Sequence, residues 1–326
     1  MEAPIYMDSG GSLDECRGER QMIPYQTIEG AMYEAMRIAT TVMPPDVADA
    51  LNKALAEETE PLAREHLEVC LENARLAGEG KGLVCGDTGF PLYFVTAGSR
   101  TEIEGGFEAL RKAAQSATTR ATAASYLRPT MVDPLTRANP GNNVGAGMPQ
   151  VELGFRGDGD GLEIIAAPKG GGSEIFGTFY RMLFPADGEA GINKFVLEAI
   201  VNGCYAGKIC PPAIVGVGIG GTSDLCMKLA KKAALLRVVG SRHPRPDIAA
   251  MERKLLEATR KIGLGPMGSR GINAVMALHI EMALTHTAGL PVAVNAQCLV
   301  GRRWRAVISA DGQVSYHGAM PEPARA

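Results

Sequence analysis

The chain has 326 residues and a mass of 34.4 kDa, enough for one large domain or two ordinary ones with a sizeable core. Hydrophobic residues at 46% and charged residues at 21% are typical of a globular protein, which excludes a largely disordered chain. A net charge of −3, with Lys and Arg scattered along the sequence, excludes the basic face that nucleic-acid binding requires.

Residues 1–21 carry neither a basic leader nor an apolar segment of the secretory kind, and nowhere does an apolar run reach roughly 18 residues. The expectation is a cytoplasmic chain that does not enter a membrane. Apolar positions at helical spacing (Ile28, Met32, Ala35, Met36, Ala39, Val42) predict a helix that breaks at Pro44-Pro45 and resumes through Val47, Leu51 and Leu55. A third helix is expected over 60–76, with His66 on its surface and Cys70 packed as an ordinary thiol. Residues 91–97 (PLYFVTA) read as a strand and 106–117 as a helix.

Two strands, 151–155 and 162–167, flank the turn GDGDG at 157–161, which is a hairpin signal. A helix is expected over 193–201. The β-like run AIVGVGI at 213–219 then ends in Gly220-Gly221 before a helix at 223–236, and glycine at such a junction offers backbone N–H groups to an anion. The Walker lysine and the three spaced glycines of a dinucleotide site are missing. A helix at 247–262, a strand at 291–296 and a closing hairpin, 304–308 with 314–317 through Asp311-Gly312, complete the pattern. No repeat or linker divides it, so one mixed α/β (α+β) domain, helices around a mixed sheet, is drawn over 26–312. An extension at 1–25, expected to be poorly ordered, precedes it and a tail at 313–326 follows.

Seven cysteines, an odd number in a chain too large to need staples, point to reduced thiols. Three of them differ from Cys16, Cys70, Cys204 and Cys226 in lying among glycines or prolines: Cys85 in VCGDTGFP, Cys210 in KICPPAIVGVGIGG and Cys298 in VAVNAQCLVGRR. Their separations, 210 − 85 = 125 and 298 − 210 = 88 residues, are too wide for a zinc knuckle, so any shared site must be assembled by the fold. Spacing alone leaves three structural thiols equally open.

CGDTG at 85–89, KGGGSE at 169–174, CPPAIVGVGIGGT at 210–222, GLGPMG at 263–268 and LPVAVNAQC at 290–298 together resemble the α subunit of the class I fumarases and of tartrate dehydratase. The resemblance covers roughly residues 28–310. GSRHPRP at 240–246 is closer to the tartrate dehydratase type and KGGGSE closer to fumarase. It implies an iron-sulfur hydro-lyase that hydrates or dehydrates a small dicarboxylate, fumarate and malate or tartrate and oxaloacetate. It implies a 4Fe-4S cluster on Cys85, Cys210 and Cys298. Three thiolates for four irons leave one iron open, a Lewis acid for the departing hydroxyl.

The resemblance further implies Asp87 as the proton-transfer carboxylate and His286, 298 − 286 = 12 residues before Cys298, as a catalytic histidine near the substrate. Arg128 in YLRPT becomes the clamp for a substrate carboxylate, and Gly170, Gly171, Gly172 and Ser173 become donors to the same ligand. As in two-subunit relatives, a separate β subunit would complete the site within a homo- or hetero-oligomer. Two departures stand out. Gly86 replaces the glutamine usual between the cysteine and the aspartate, removing a hydrogen bond to substrate. Ile175-Phe176-Gly177 is more apolar than the family's pattern, which implies a less polar or larger substrate. A cluster-bearing redox or oxygen sensor, or a zinc protein using the three cysteines with His286, are the alternatives.

Overall fold

In the computed structural model of the protein, residues 22–321 are described, so most of the expected N-terminal extension lies outside the described residues. The predicted first helix is α1 (Tyr25–Thr41) and α2 (Pro45–Glu57), with Pro45 in the first turn of α2, where a missing N–H has no helical partner to lose. α3 (Pro61–Gly78) begins in the same way. The chain continues through β1 (Phe90–Gly98), α4 (Glu108–Ala123), β2 (Gln150–Arg156), β3 (Leu162–Lys169), the short α5 (Gly171–Phe176) and β4 (Thr178–Leu183). α6 (Gly188–Cys204), β5 (Ala213–Ile219), α7 (Ser223–Leu236) and α8 (Pro246–Thr259) follow. Last come β6 (Val275–Met282), β7 (Leu290–Gln297), β8 (Trp304–Ile308) and β9 (Val314–His317).

The strands form two mixed sheets, in the orders β2-β1-β3-β8-β9 and β4-β7-β5-β6, with helices around them. This is the expected mixed α/β class. Helices α1 and α4 press Ile28, Met32, Ala113 and Ala117 onto Tyr93, Val95 and Ile164 of the first sheet. Helices α6 and α8 cover one face of the second, where Val215, Val217, Ile280 and Val294 are buried. A third apolar cluster joins α2 and α3 (Val47, Leu51, Leu67) to Ile214, Ala277 and Cys298, and the candidate site is built on it. β9, inside the segment expected as a tail, pairs with β8 as the predicted closing hairpin. Ile23 is fully buried and bridges Ile103.

The structure corrects two readings. β2 and β3 exist but do not form a hairpin: β1 lies between them, parallel to β2 and antiparallel to β3. The glycine turn at 157–161 wraps the end of β1 instead, where Gly98 N–H donates to Gly161 O and Arg100 N–H to Gly159 O. A Cβ on Gly98 would stand 2.5 Å from the Gly159 carbonyl, which is why glycine occupies this crossing. Nor is the 216–221 glycine run an anion loop. The N–H groups of Gly220 and Gly221 are taken by Pro291 O and Leu284 O. Cβ atoms on Gly216 and Gly218 would lie 2.1 Å from Ala230 O and Cys226 O, so these glycines let α7 sit directly on β5. Gly218→Ala is therefore expected to cost about 3 kcal/mol or more in stability, read from the midpoint of denaturant unfolding.

Candidate active site at the crossovers between the sheets

The chain passes between the sheets twice, from β3 through residues 170–177 into β4, and from β7 through residues 298–303 back to β8. Strand register brings two further segments to these crossovers. The pair Phe90↔Lys169 sets the start of β1, and the loop carrying Cys85 and Asp87, beside the first. The pair Ile214↔Gln297 sets the start of β5, and with it Cys210, beside the second. Leu299 N–H donates to Cys210 O at 3.1 Å, tying two of the cysteine segments together. A Cβ on Gly170 would lie 3.7 Å from Cys298 Sγ, so the two crossovers touch and only glycine leaves the space between them open.

Each cysteine is held by its surroundings. Val84, preceding Cys85, donates its N–H to Thr40 O and accepts from Asn73 Nδ2 at 2.9 Å. Cys210 has the left-handed φ of +52°, a conformation that costs a non-glycine residue energy and recurs at functional sites. The 263–268 segment braces it: Met267 N–H donates to Pro211 O, and Gly207 and Gly268 pack backbone to backbone. Cys298 is buried at the end of β7. The three thiols share one apolar cluster and feel one another's charge. Burial pushes the Cys85 thiol up, against the pull of the Arg302 guanidinium, and pushes Cys210 up to about 11. Among the described residues no three His, Cys, Asp or Glu close on one point that a single ion would fill.

Asp87 is exposed on the Cys85 loop and accepts a 3.4 Å hydrogen bond from Gly172 N–H; a Cβ on Gly171 would come within 3.3 Å of its carboxylate. Gly89, at φ +66°, has no room for a side chain, because its Cβ would fall 1.8 Å from Lys169 O. Arg128 lies over the same loop: its N–H donates to Thr88 Oγ1 at 2.8 Å and its guanidinium reaches Gly86 O at 3.3 Å. Beneath, Ser173 Oγ donates to Gly170 O and accepts from the buried Lys169 Nζ. Burial drives the Lys169 ammonium down to about 8, while Glu174, 3.7 Å away, supports its charge. Lys169 and Lys231 in turn keep the Glu174 carboxylate low against the upward push of burial. Ile175 and Phe176 lie exposed on the outer side of α5.

His286 is not brought to this cavity by its own chain. It sits on the exposed turn before β7, where Nδ1 accepts from Ala288 N–H. Cys298 is at the other end of that eight-residue strand, roughly 25 Å off at about 3.3 Å per residue. Nearness in sequence misleads here because most of the intervening residues are the extended β7, and the same separation removes His286 from a zinc site with the three cysteines. His279, by contrast, is buried beside Ala233 O and held neutral by that burial, at about 3.

Cys70 is the packed thiol expected, half-buried on α3 in the apolar cluster that also takes in Cys85 and Cys298. Sequence reasoning missed one residue. Arg302 is 1% exposed and stands against Gly170, on which a built Cβ would also lie near Cys298 Sγ. The pair Arg302-Arg303 just after Cys298 was its visible trace.

Comparison with known proteins agrees with this construction. A family model described as fumarate hydratase (Fumerase) matches residues 29–307. A Methanocaldococcus jannaschii protein named "Putative L(+)-tartrate dehydratase subunit alpha" is 41% identical over 280 residues, 85% of this chain and 95% of the relative. The L(+)-tartrate dehydratase subunits alpha of Escherichia coli O157:H7 and of strain K12 are each 36% identical over 272 residues, 83% of this chain and 88% of theirs. With its matched span taking in both crossovers and all three cysteine segments, the chain belongs to the fumarate hydratase (Fumerase) family of hydro-lyases.

Proposed function

We propose that this chain is the α subunit of a hydro-lyase that binds a 4Fe-4S cluster through Cys85, Cys210 and Cys298 and dehydrates a small 2-hydroxydicarboxylate of the tartrate or malate type. The observation that carries this reading is the meeting, at the two crossovers, of three thiols with an exposed carboxylate and a glycine-lined wall. The donor set fits the group. The thiols come from three separate loops, and the buried Arg302 guanidinium near them has no hydrogen-bond partner among the described residues. When bound, the cluster supplies a Lewis acid for the departing hydroxyl.

The protein's own residues do the rest. Arg128, planar and solvent-facing, takes a substrate carboxylate at the mouth. Asp87, oriented by Gly172 N–H, accepts the proton lost from the carbon next to the one that loses hydroxide, and returns it in hydration. Lys169 and Ser173 hold residues 170–172 in place so that their N–H groups face the same space. A sensor would need neither Arg128 nor Asp87 at the opening, and this supports turnover.

The relatives are named as α subunits, and the exposed Ile175 and Phe176 next to an open polar mouth support a separate β subunit that covers it. Among the described residues no helix is long and apolar enough to cross a membrane, and the cysteines are unpaired. Free thiols support a reducing, cytoplasmic setting. Names and identities of the relatives favour L(+)-tartrate within the substrate class.

Reconstitution with iron and sulfide under anaerobic conditions is expected to give a brown chain with near-equal iron and sulfide. Ala at Cys85, Cys210 or Cys298 should abolish this, while Cys70→Ala should leave it intact. A colourless wild-type chain would overturn the proposal. Asp87→Asn should keep the cluster and lose about 10²- to 10⁴-fold in kcat, measured with the co-expressed partner on a panel of tartrate, malate and fumarate. At Gly86 a Cβ meets nothing within 4 Å, so Gly86→Gln should fold normally. By restoring a polar contact to the bound substrate, it is expected to lower KM with little change in kcat.

A further inference from the structure

Of the three cations buried around the site, two have anions. Lys169 is paired with Glu174, and Arg303 with Asp46 Oδ2, its Nη1 and Nη2 also donating to Gly301 O and Arg237 O while Nε has no partner among the described residues. Arg302 is different. It is 1% exposed, yet none of its Nε, Nη1 and Nη2 atoms has a hydrogen-bond partner among the described residues. A guanidinium stays charged at any physiological pH and, left alone in the interior, carries a large desolvation cost. The fold therefore keeps a cation waiting for an anion.

The position of Arg302 identifies that anion. Nη2 is 3.3 Å from where a Gly170 Cβ would be, and Cys298 Sγ is 3.7 Å from the same point, so guanidinium and thiol face one small gap from two sides. Its charge also reaches Cys85. Arg128, solvent-facing, is already suited to the substrate carboxylate, whereas Arg302 is buried against Gly170. A four-iron cluster on three thiolates carries net negative charge, since the thiolates outnumber the positive charge of the core. We infer that Arg302 is the counter-ion of the cluster held by Cys85, Cys210 and Cys298, a positioning residue that retains the cluster and does not bind substrate. This rests on the functional reading above.

Arg302→Met and Arg302→Lys are compared with wild type as full-length chains, metal-free and reconstituted with iron and sulfide. Metal-free Arg302→Met is expected to unfold at a higher temperature than metal-free wild type, because an unpaired buried charge has gone. After loading, the order reverses: Arg302→Met should lose iron and labile sulfide roughly 10- to 100-fold more readily to a chelator, the usual scale for groups just behind metal ligands. Its cluster should also show a lower reduction potential. Arg302→Lys, which keeps the charge, should restore much of the retention and guards against a simple folding defect. If wild type and Arg302→Met hold the cluster equally well and differ only in KM, Arg302 is a substrate clamp and the inference falls alone. If the metal-free Met variant melts lower, the guanidinium has a partner inside the fold and the inference also falls. A wild-type chain that takes up no cluster overturns the functional reading and this inference together.

Discussion

The site exists because two strand registers are held. Cys85 and Cys210 are not carried by the crossovers themselves; each reaches the cavity only as the residue or loop just before a strand whose partner ends at a crossover. A slip of one residue in either pairing would move a thiol by about 3.3 Å and turn alternate side chains to the opposite face. The strands concerned are poorly placed to slip. β3, β5 and β7 are buried along nearly their whole length, and β5 and β7 each pair on both sides. Gly216 and Gly218 add a second lock, since only at those positions can the backbone of α7 approach β5 so closely.

Onto this frame the chain places charge unevenly. Beneath the cysteine loops the buried charges are cationic, Lys169, Arg302 and Arg303, and the partly buried carboxylates of Glu174 and Asp46 pair with Lys169 and Arg303. The rim carries Asp87 and Arg128, both open to water. Two environments therefore sit a few residues apart. Interactions on the floor act in a low dielectric and are strong and permanent, whereas those on the rim are weakened by solvent until something covers them. Lys169 shows the floor's strength: burial has pulled an ammonium down to about 8, and it is kept in place by Ser173 and Glu174.

What could be read from the sequence follows from what local patterns encode. Ala213–Ile219, Ser223–Leu236 and the hairpin of Trp304–Ile308 with Val314–His317 were legible to the residue, because glycine, proline and apolar periodicity mark their ends. The neighbours of β2 and β3 were not legible, since a turn rich in glycine looks the same whether it reverses the chain or wraps a third strand. The glycines at 216–221 advertised a need for small residues but not its cause, which is a helix on the other side. Cys85, Cys210 and Cys298 were legible only through the family's motifs. Arg302 was not, for a doublet of arginines says nothing of which one lacks a partner; that is decided by Asp46 lying within reach of Arg303 alone.

The unequal halves of the cavity bear on why such a site would be split between two polypeptides. In the roles proposed for them, Asp87 as proton carrier and Arg128 as carboxylate clamp would both gain from the exclusion of water, which raises the worth of every charge involved. Nothing in the described residues covers them: Gly86 and Asp87 are exposed, and α5 turns Ile175 and Phe176 outward beside them. The cysteine side proposed to hold the cluster, in contrast, is enclosed by this chain's own loops. A fold that completes the floor and leaves the rim open can load its cofactor before the substrate side is shut. Under the proposed division of labour, the β subunit then supplies the missing wall, and apolar contacts of the kind Ile175 and Phe176 offer would seat it without disturbing the charges within.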